Sequence, residues 1–88
     1  MKAGNNMNVV DFNMIVEINE LLKEHNIDYN VHTIGGCASC GLELKQLGND
    51  YPLDDIITLI NQYLSTKWLK VIPQDDNPFY LIVLSKFD

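Results

Sequence analysis

The sequence predicts an α+β domain of element order α-β-β-α-β-β, a four-stranded antiparallel sheet carrying two helices on one face. Three observations carry that expectation. Two segments place apolar residues at helical spacing, each is followed by two β-rich segments parted by turn residues, and 88 residues leave room for one small core. Residues 8–88 are read as this single domain, preceded by a flexible tail over 1–7 in which Gly4, Asn5 and Asn6 stand before Met7.

Asn8, with Asp11 three positions later, supplies a helix N-terminus, and the helix is expected to run to about His25. Met14, Ile15, Ile18, Leu21 and Leu22 form one stripe, widened by Phe12 and Val16, while Glu17, Glu20, Lys23 and Glu24 take the opposite side. A stripe of that width suits a helix lying across a sheet. After Asn26, alternation over 27–34 predicts a strand with Ile27, Tyr29 and Val31 inward and His32 on the other face. Gly35 to Gly41 is read as a turn. Leu42-Glu43-Leu44-Lys45 then resumes the alternation as the returning strand of a hairpin. Leu, Glu, Lys and Gln also favour helix, and Gly48 suits a helix C-cap, so a short helix over 42–47 stays open as the alternative.

Asn49-Asp50-Tyr51-Pro52 is turn chemistry, and Pro52 fits the first turn of a second helix whose entry is enriched in Asp50, Asp54 and Asp55. Leu53, Ile56, Ile57, Ile60, Tyr63 and Leu64 mark its apolar face, and the pattern stops at Ser65-Thr66-Lys67. Residues 68–72 and 79–84 are β-rich and flank the turn residues 73–78, which predicts a closing hairpin. The last strand is apolar throughout, so it is expected to be central or covered on its second face by another chain. If that face is bare, Tyr80, Ile82 and Leu84 lie near solvent, and a homodimer or another protein would hide them. The two halves share a shape, yet no residue-level repeat is claimed for them.

Charge restricts function more tightly than length does. Twelve acids face six basic residues, all of them Lys, for a net charge of −6. Arg is the residue that forks onto phosphates and reads guanine edges, so its absence argues against direct nucleic-acid binding and against phosphoryl transfer. A negative surface favours a basic protein partner, including proteins that themselves hold DNA or RNA; it also keeps a small protein soluble. No apolar run approaches the ~20 residues that span a bilayer, and the start lacks the apolar stretch of a signal peptide. A cytoplasmic location and no membrane partner are expected.

One local motif carries chemistry: Cys37-Ala38-Ser39-Cys40-Gly41, following Gly35 and Gly36. Two thiolates at this spacing can chelate zinc if the backbone turns tightly, and a glycine after the second cysteine permits such a turn. His32 is the nearest further ligand. A complete tetrahedral site needs His25 as well, or two chains pooling their cysteines, so the expected cofactor is either none or zinc. The same spacing serves thiol–disulfide exchange when the pair opens a helix, with Cys37 attacking and Cys40 resolving. The segment 31–47 is a little similar to the strand-CxxC-helix unit of thioredoxin-like proteins, although the alternation at 42–45 and the lack of a cis-proline candidate depart from it. The paired carboxylates Asp54-Asp55 and Asp75-Asp76 sit at a helix entry and in a turn, where dipole complementation and solvation account for them. No nucleophile elbow, P-loop or dinucleotide fingerprint is present, and no enzymatic activity is expected.

In size, Lys-only basic content, acidity and element order the chain resembles the small phage-encoded inhibitors of bacterial defence systems, anti-CRISPR proteins among them. That resemblance implies a mechanism in which acids along one surface occupy a basic groove that otherwise holds nucleic acid. Glu43, Asp50, Asp54, Asp55, Asp75 and Asp76 are the candidate partner-binding residues. A non-enzymatic, inhibitory protein-binding module therefore ranks first. A zinc-stabilised interaction domain using Cys37, Cys40 and His32 ranks second, and a thiol oxidoreductase third.

Overall fold

The computed structural model describes residues 10–34 and 37–86, with the backbone alone over 37–40. Its elements are α1 (Phe12–Glu24), β1 (Tyr29–Ile34), β2 (Cys37–Gln46), α2 (Leu53–Ser65), β3 (Leu69–Pro73) and β4 (Tyr80–Ser85). The order is the one predicted from the sequence. The four strands form one antiparallel sheet in the spatial order β1-β2-β4-β3, which makes β1 and β3 the edges and sets β4 in the interior as its apolar run demanded.

Both helices lie on one face. Ile18 and Leu22 of α1 and Ile56, Ile60 and Leu64 of α2 meet Tyr29, Val31, Leu42, Leu44, Leu69, Val71, Leu81 and Val83 of the sheet in one buried core. These strand residues sit at alternate positions and match across the ladders, Val31 opposite Leu44, Leu42 opposite Leu81 and Val71 opposite Val83. Phe12 and Val16 do not join the core. Phe12 is 77% exposed, because α1 packs on the edge strand β1 and the outer flank of the helix overhangs the sheet.

Helix ends follow their local chemistry. The cap of α1 is Asp11, whose Oδ1 accepts a hydrogen bond from the Met14 amide at 2.8 Å, and not Asn8, which lies outside the described residues. At the other end Asn26 adopts φ 60°; its amide donates to the Lys23 carbonyl at 3.0 Å and the Ile27 amide to the Leu22 carbonyl at 2.9 Å, a Schellman closure. Beyond α2, Trp68 takes the same left-handed conformation at φ 63°.

Residues 42–46 are strand, not helix, and β2 starts earlier than the predicted turn over 35–41 allowed. Ile34 pairs with Cys37 while Thr33 pairs with Leu42, so β2 carries extra residues as a bulge. The backbone over Cys37–Cys40 is thus part of a strand instead of a free turn. The bulge ends at Gly41, where φ is +124° and a Cβ would stand 2.7 Å from the Leu81 carbonyl oxygen, so only glycine fits.

The two halves share a shape, as expected from the sequence, and several of their buried positions correspond in the structure. Ile18-Asn19-x-x-Leu22 of α1 and Ile60-Asn61-x-x-Leu64 of α2 occupy equivalent places, each with its Ile and Leu buried. Tyr29 and Val31 of β1 match Leu69 and Val71 of β3, and Leu42 of β2 matches Leu81 of β4. Since Leu42 and Leu81 also pair with each other, the approximate two-fold axis that relates the halves passes through this pair.

Candidate functional site

The topology gathers the predicted aspartates at one end. A short connection turns β1 back along α1 and β3 back along α2, so the start of β1, the end of β2, the entry of α2 and the β3–β4 turn share that end. Contacts fix the arrangement: the Leu44 amide donates to the Phe79 carbonyl at 2.7 Å, and His25 at the close of α1 lines a cleft of about 170 Å³ with Asp55.

Each aspartate is held by local structure. Asp54 and Asp55 occupy the first turn of α2, whose cap, Pro52, offers no side-chain acceptor, so their charge meets the uncapped amide dipoles there. Thr58 Oγ1 donates to the Asp54 carbonyl at 2.8 Å. At the end of β2, Gln46 Nε2 donates to Asp50 Oδ1 at 2.7 Å and to the Gly48 carbonyl at 2.8 Å, both in the β2–α2 loop. Asp28 supports this loop from the residue before β1, its Oδ2 accepting from the Asn49 amide at 3.0 Å. Asp75 and Asp76 stand exposed in a turn that closes through the Gln74 amide to the Tyr80 carbonyl (2.9 Å) and the Phe79 amide to Asn77 Oδ1 (3.0 Å). All five predicted aspartates are exposed.

Glu43 is elsewhere. It lies on the helix-free face of the sheet, between His32 on β1 and Tyr80 on β4. The structure therefore separates one predicted site residue from the other five.

Beside the aspartates a cleft of about 650 Å³ opens between the last turns of α1, the start of β1 and the loop that follows β2. Asn19, Lys23, Asn26, Asp28, Asn30 and Asn49 line it with polar groups, and Asn30 Oδ1 is buried without a hydrogen-bond partner among the described residues. Sequence reading missed this cleft, since its wall is assembled from three elements and no single segment signals it.

The metal reading gains no support from the described part of the chain. The side chains of Cys37 and Cys40 lie outside it, His32 is exposed opposite Glu43, and His25 precedes β1 whereas Cys37 follows it, so the full strand parts them. Among the described residues no three His, Cys, Asp or Glu side chains come close enough to hold a metal ion. A redox unit of the thioredoxin type needs a helix after the second cysteine, and here β2 continues to Gln46. No helix among the described residues is long and apolar enough to cross a membrane.

Compared with known proteins, the chain matches no protein-family model, no curated protein and no solved structure.

Proposed function

We propose that the chain is a small, non-enzymatic protein-binding module that inhibits a basic, nucleic-acid-binding partner by placing its aspartate-rich end in the partner's groove. The gathering of Asp50, Asp54, Asp55, Asp75 and Asp76 at one end of the fold carries this reading. Carboxylates on a helix entry, a loop and a turn at one end present anionic oxygens along a surface as a phosphate backbone does, and steer a basic partner toward it. The adjoining cleft adds the Asp28 carboxylate as an acceptor suited to a Lys or Arg side chain from the same partner. This is the mechanism that the resemblance to small phage-encoded inhibitors of bacterial defence implies.

The test compares the wild type with a variant carrying Asp54→Asn, Asp55→Asn, Asp75→Asn and Asp76→Asn in pull-downs from a bacterial lysate. Captured protein should be released by duplex DNA and by salt, because exposed charge pairs are screened beyond a Debye length of about 8 Å at 0.15 M. The variant should keep its fold and lose the capture. Equal recovery of the same partners by both proteins at low salt refutes the reading.

A further inference from the structure

We infer that the cleft between the end of α1 and the start of β1 binds a small zwitterion, an apolar α-amino acid or a short peptide of such residues, with its ammonium on Asp28 and its carboxylate on Lys23. The inference goes beyond the inhibitory reading and does not rest on it. The cleft lies where the two halves of the molecule depart from each other. In the second half the chain leaves α2 through Trp68, at φ 63°, and enters β3 at once with Leu69. The Trp68 carbonyl accepts from the Lys86 amide at 2.9 Å, and the Lys86 ammonium stands 5.5 Å from the centre of the Trp68 ring. In the first half the left-handed residue is Asn26, at φ 60°, and Ile27 and Asp28 intervene before β1 begins at Tyr29. Asp28 and Leu47 take the places equivalent to Trp68 and Lys86, the Asp28 carbonyl accepting from the Leu47 amide at 2.7 Å. A ring with a cation over it is thus replaced by a carboxylate and an aliphatic chain. The connection is two residues longer, and the opening beside it has a volume of about 650 Å³, within the range of about 300–1,000 Å³ usual for small-molecule sites.

The lining names the ligand's chemistry. Among the described residues that form it, Lys23 is the cation and Asp28 the anion, and the two make no ion pair with each other. Asp28 spends Oδ2 on the Asn49 amide and keeps Oδ1 for a ligand. Two opposite charges that do not neutralise each other in one cleft are matched by a molecule that carries both. A ligand with only a positive charge also meets Lys23, and one with only negative charge, such as a phosphate ester, also meets Asp28. The cleft opens at the C-terminal end of α1, whose carbonyl dipoles favour an ammonium group beside Asp28. Between the charges, the side-chain amides of Asn26 and Asn49 offer donors and acceptors to a carboxylate or a peptide link. Ile27 and Tyr29 are each 5% exposed and floor the cleft, while Leu47, 62% exposed at its rim, gives an apolar surface for the ligand's side chain to cover.

Proton–nitrogen correlation spectra of the full chain, titrated at neutral pH with leucine and with leucyl-leucine, read the binding residue by residue. The backbone amides of Asn26, Asp28, Leu47 and Asn49 should shift and saturate with a Kd of about 1 mM or tighter for at least one of the two. The tighter of them tells a free amino acid from a peptide. N-acetyl-leucine, which lacks the ammonium, and leucinamide, which lacks the carboxylate, should each bind at least about tenfold more weakly than leucine. Lys23→Gln, at an exposed position, should bring leucine down to the level of leucinamide. Asp28→Asn keeps an acceptor for the Asn49 amide and should bring leucine down to the level of N-acetyl-leucine. The spectra themselves show whether each variant is folded, and Lys23→Gln carries the test if Asp28→Asn is not. No saturable shift at these amides up to about 20 mM of either ligand, single-charge analogues that bind as well as leucine, or a folded variant that discriminates as the wild type does overturns the inference. None of these results depends on capture of a partner by the aspartate-rich end.

Discussion

Asn19 and Asn61 make the same pair of hydrogen bonds to equivalent residues of the two edge strands. Asn19 Oδ1 accepts from the Val31 amide at 2.7 Å and its Nδ2 donates to the Val31 carbonyl at 3.2 Å; Asn61 does the same to Val71 at 2.7 and 3.0 Å. Each side-chain amide satisfies one outward-facing donor and acceptor, so each helix caps the sheet edge it covers and blocks that position to further strand pairing. The two sites are mates across the pseudo-two-fold axis.

Replacing either Asn by Ala leaves a part-buried backbone pair without partners and should cost about 1–3 kcal/mol, measured by urea denaturation. The sites share no partner, so the double variant should cost the sum of the two to within about 0.5 kcal/mol. A cost near zero at both sites would show that water replaces the amides and that the capping role is wrong.

Leu42 is fully buried on the pseudo-two-fold axis, whereas Phe12, the bulkier residue, overhangs the sheet. Leu42→Ala should lose about 2–5 kcal/mol, and Phe12→Ala should stay within about 0.5 kcal/mol of the wild type. Comparable losses in denaturant melts would place Phe12 in the core after all.

The glycines differ in what confines them. At Gly41 a side chain meets the Leu81 backbone in a left-handed conformation, while at Gly48 the nearest atom, 2.8 Å from an added Cβ, is Asp28 Oδ2 at the end of a side chain. Gly41→Ala should therefore be the more damaging, by about 1–3 kcal/mol for the strain alone. Gly48→Ala should mainly displace Asp28 and cost the Asn49 hydrogen bond, and thermal melts of the two variants rank them.

Tyr63 on α2 donates its hydroxyl proton to a Glu17 carboxylate oxygen on α1. Burial, then this hydrogen bond and the Glu17 charge, push its pKa well above the ordinary phenol value of 10.0. The folded state holds the proton more tightly than the unfolded chain, so this contribution to stability is fully present below pH 10 and is lost as pH rises beyond it. The gap in stability between wild type and Tyr63→Phe should be constant at neutral pH and shrink above about pH 10. A gap that does not change with pH removes the helix-to-helix bond from the account.

What the sequence by itself determined was set by short-range pattern. Periodicity near 3.6 residues marked the two helices and their buried residues Ile18, Leu22, Ile56, Ile60 and Leu64, and alternation marked Tyr29, Val31, Leu42 and Leu44 as inward; both are properties of neighbours along the chain. The acidic candidates were legible for the same reason, since turns and helix entries are local. Tertiary structure alone decided which of them meet: the order β1-β2-β4-β3 brings the β3–β4 turn beside the end of β2 and leaves Glu43 on the opposite face from the helices. It also decided the fate of Phe12, because an apolar residue at helical spacing is buried only if the sheet extends beneath it. The start of β2 and the roles of Asn19 and Asn61 depended on contacts between segments distant along the chain. Strand pairing and edge capping are made by backbone groups that every residue carries, so side-chain pattern cannot announce them.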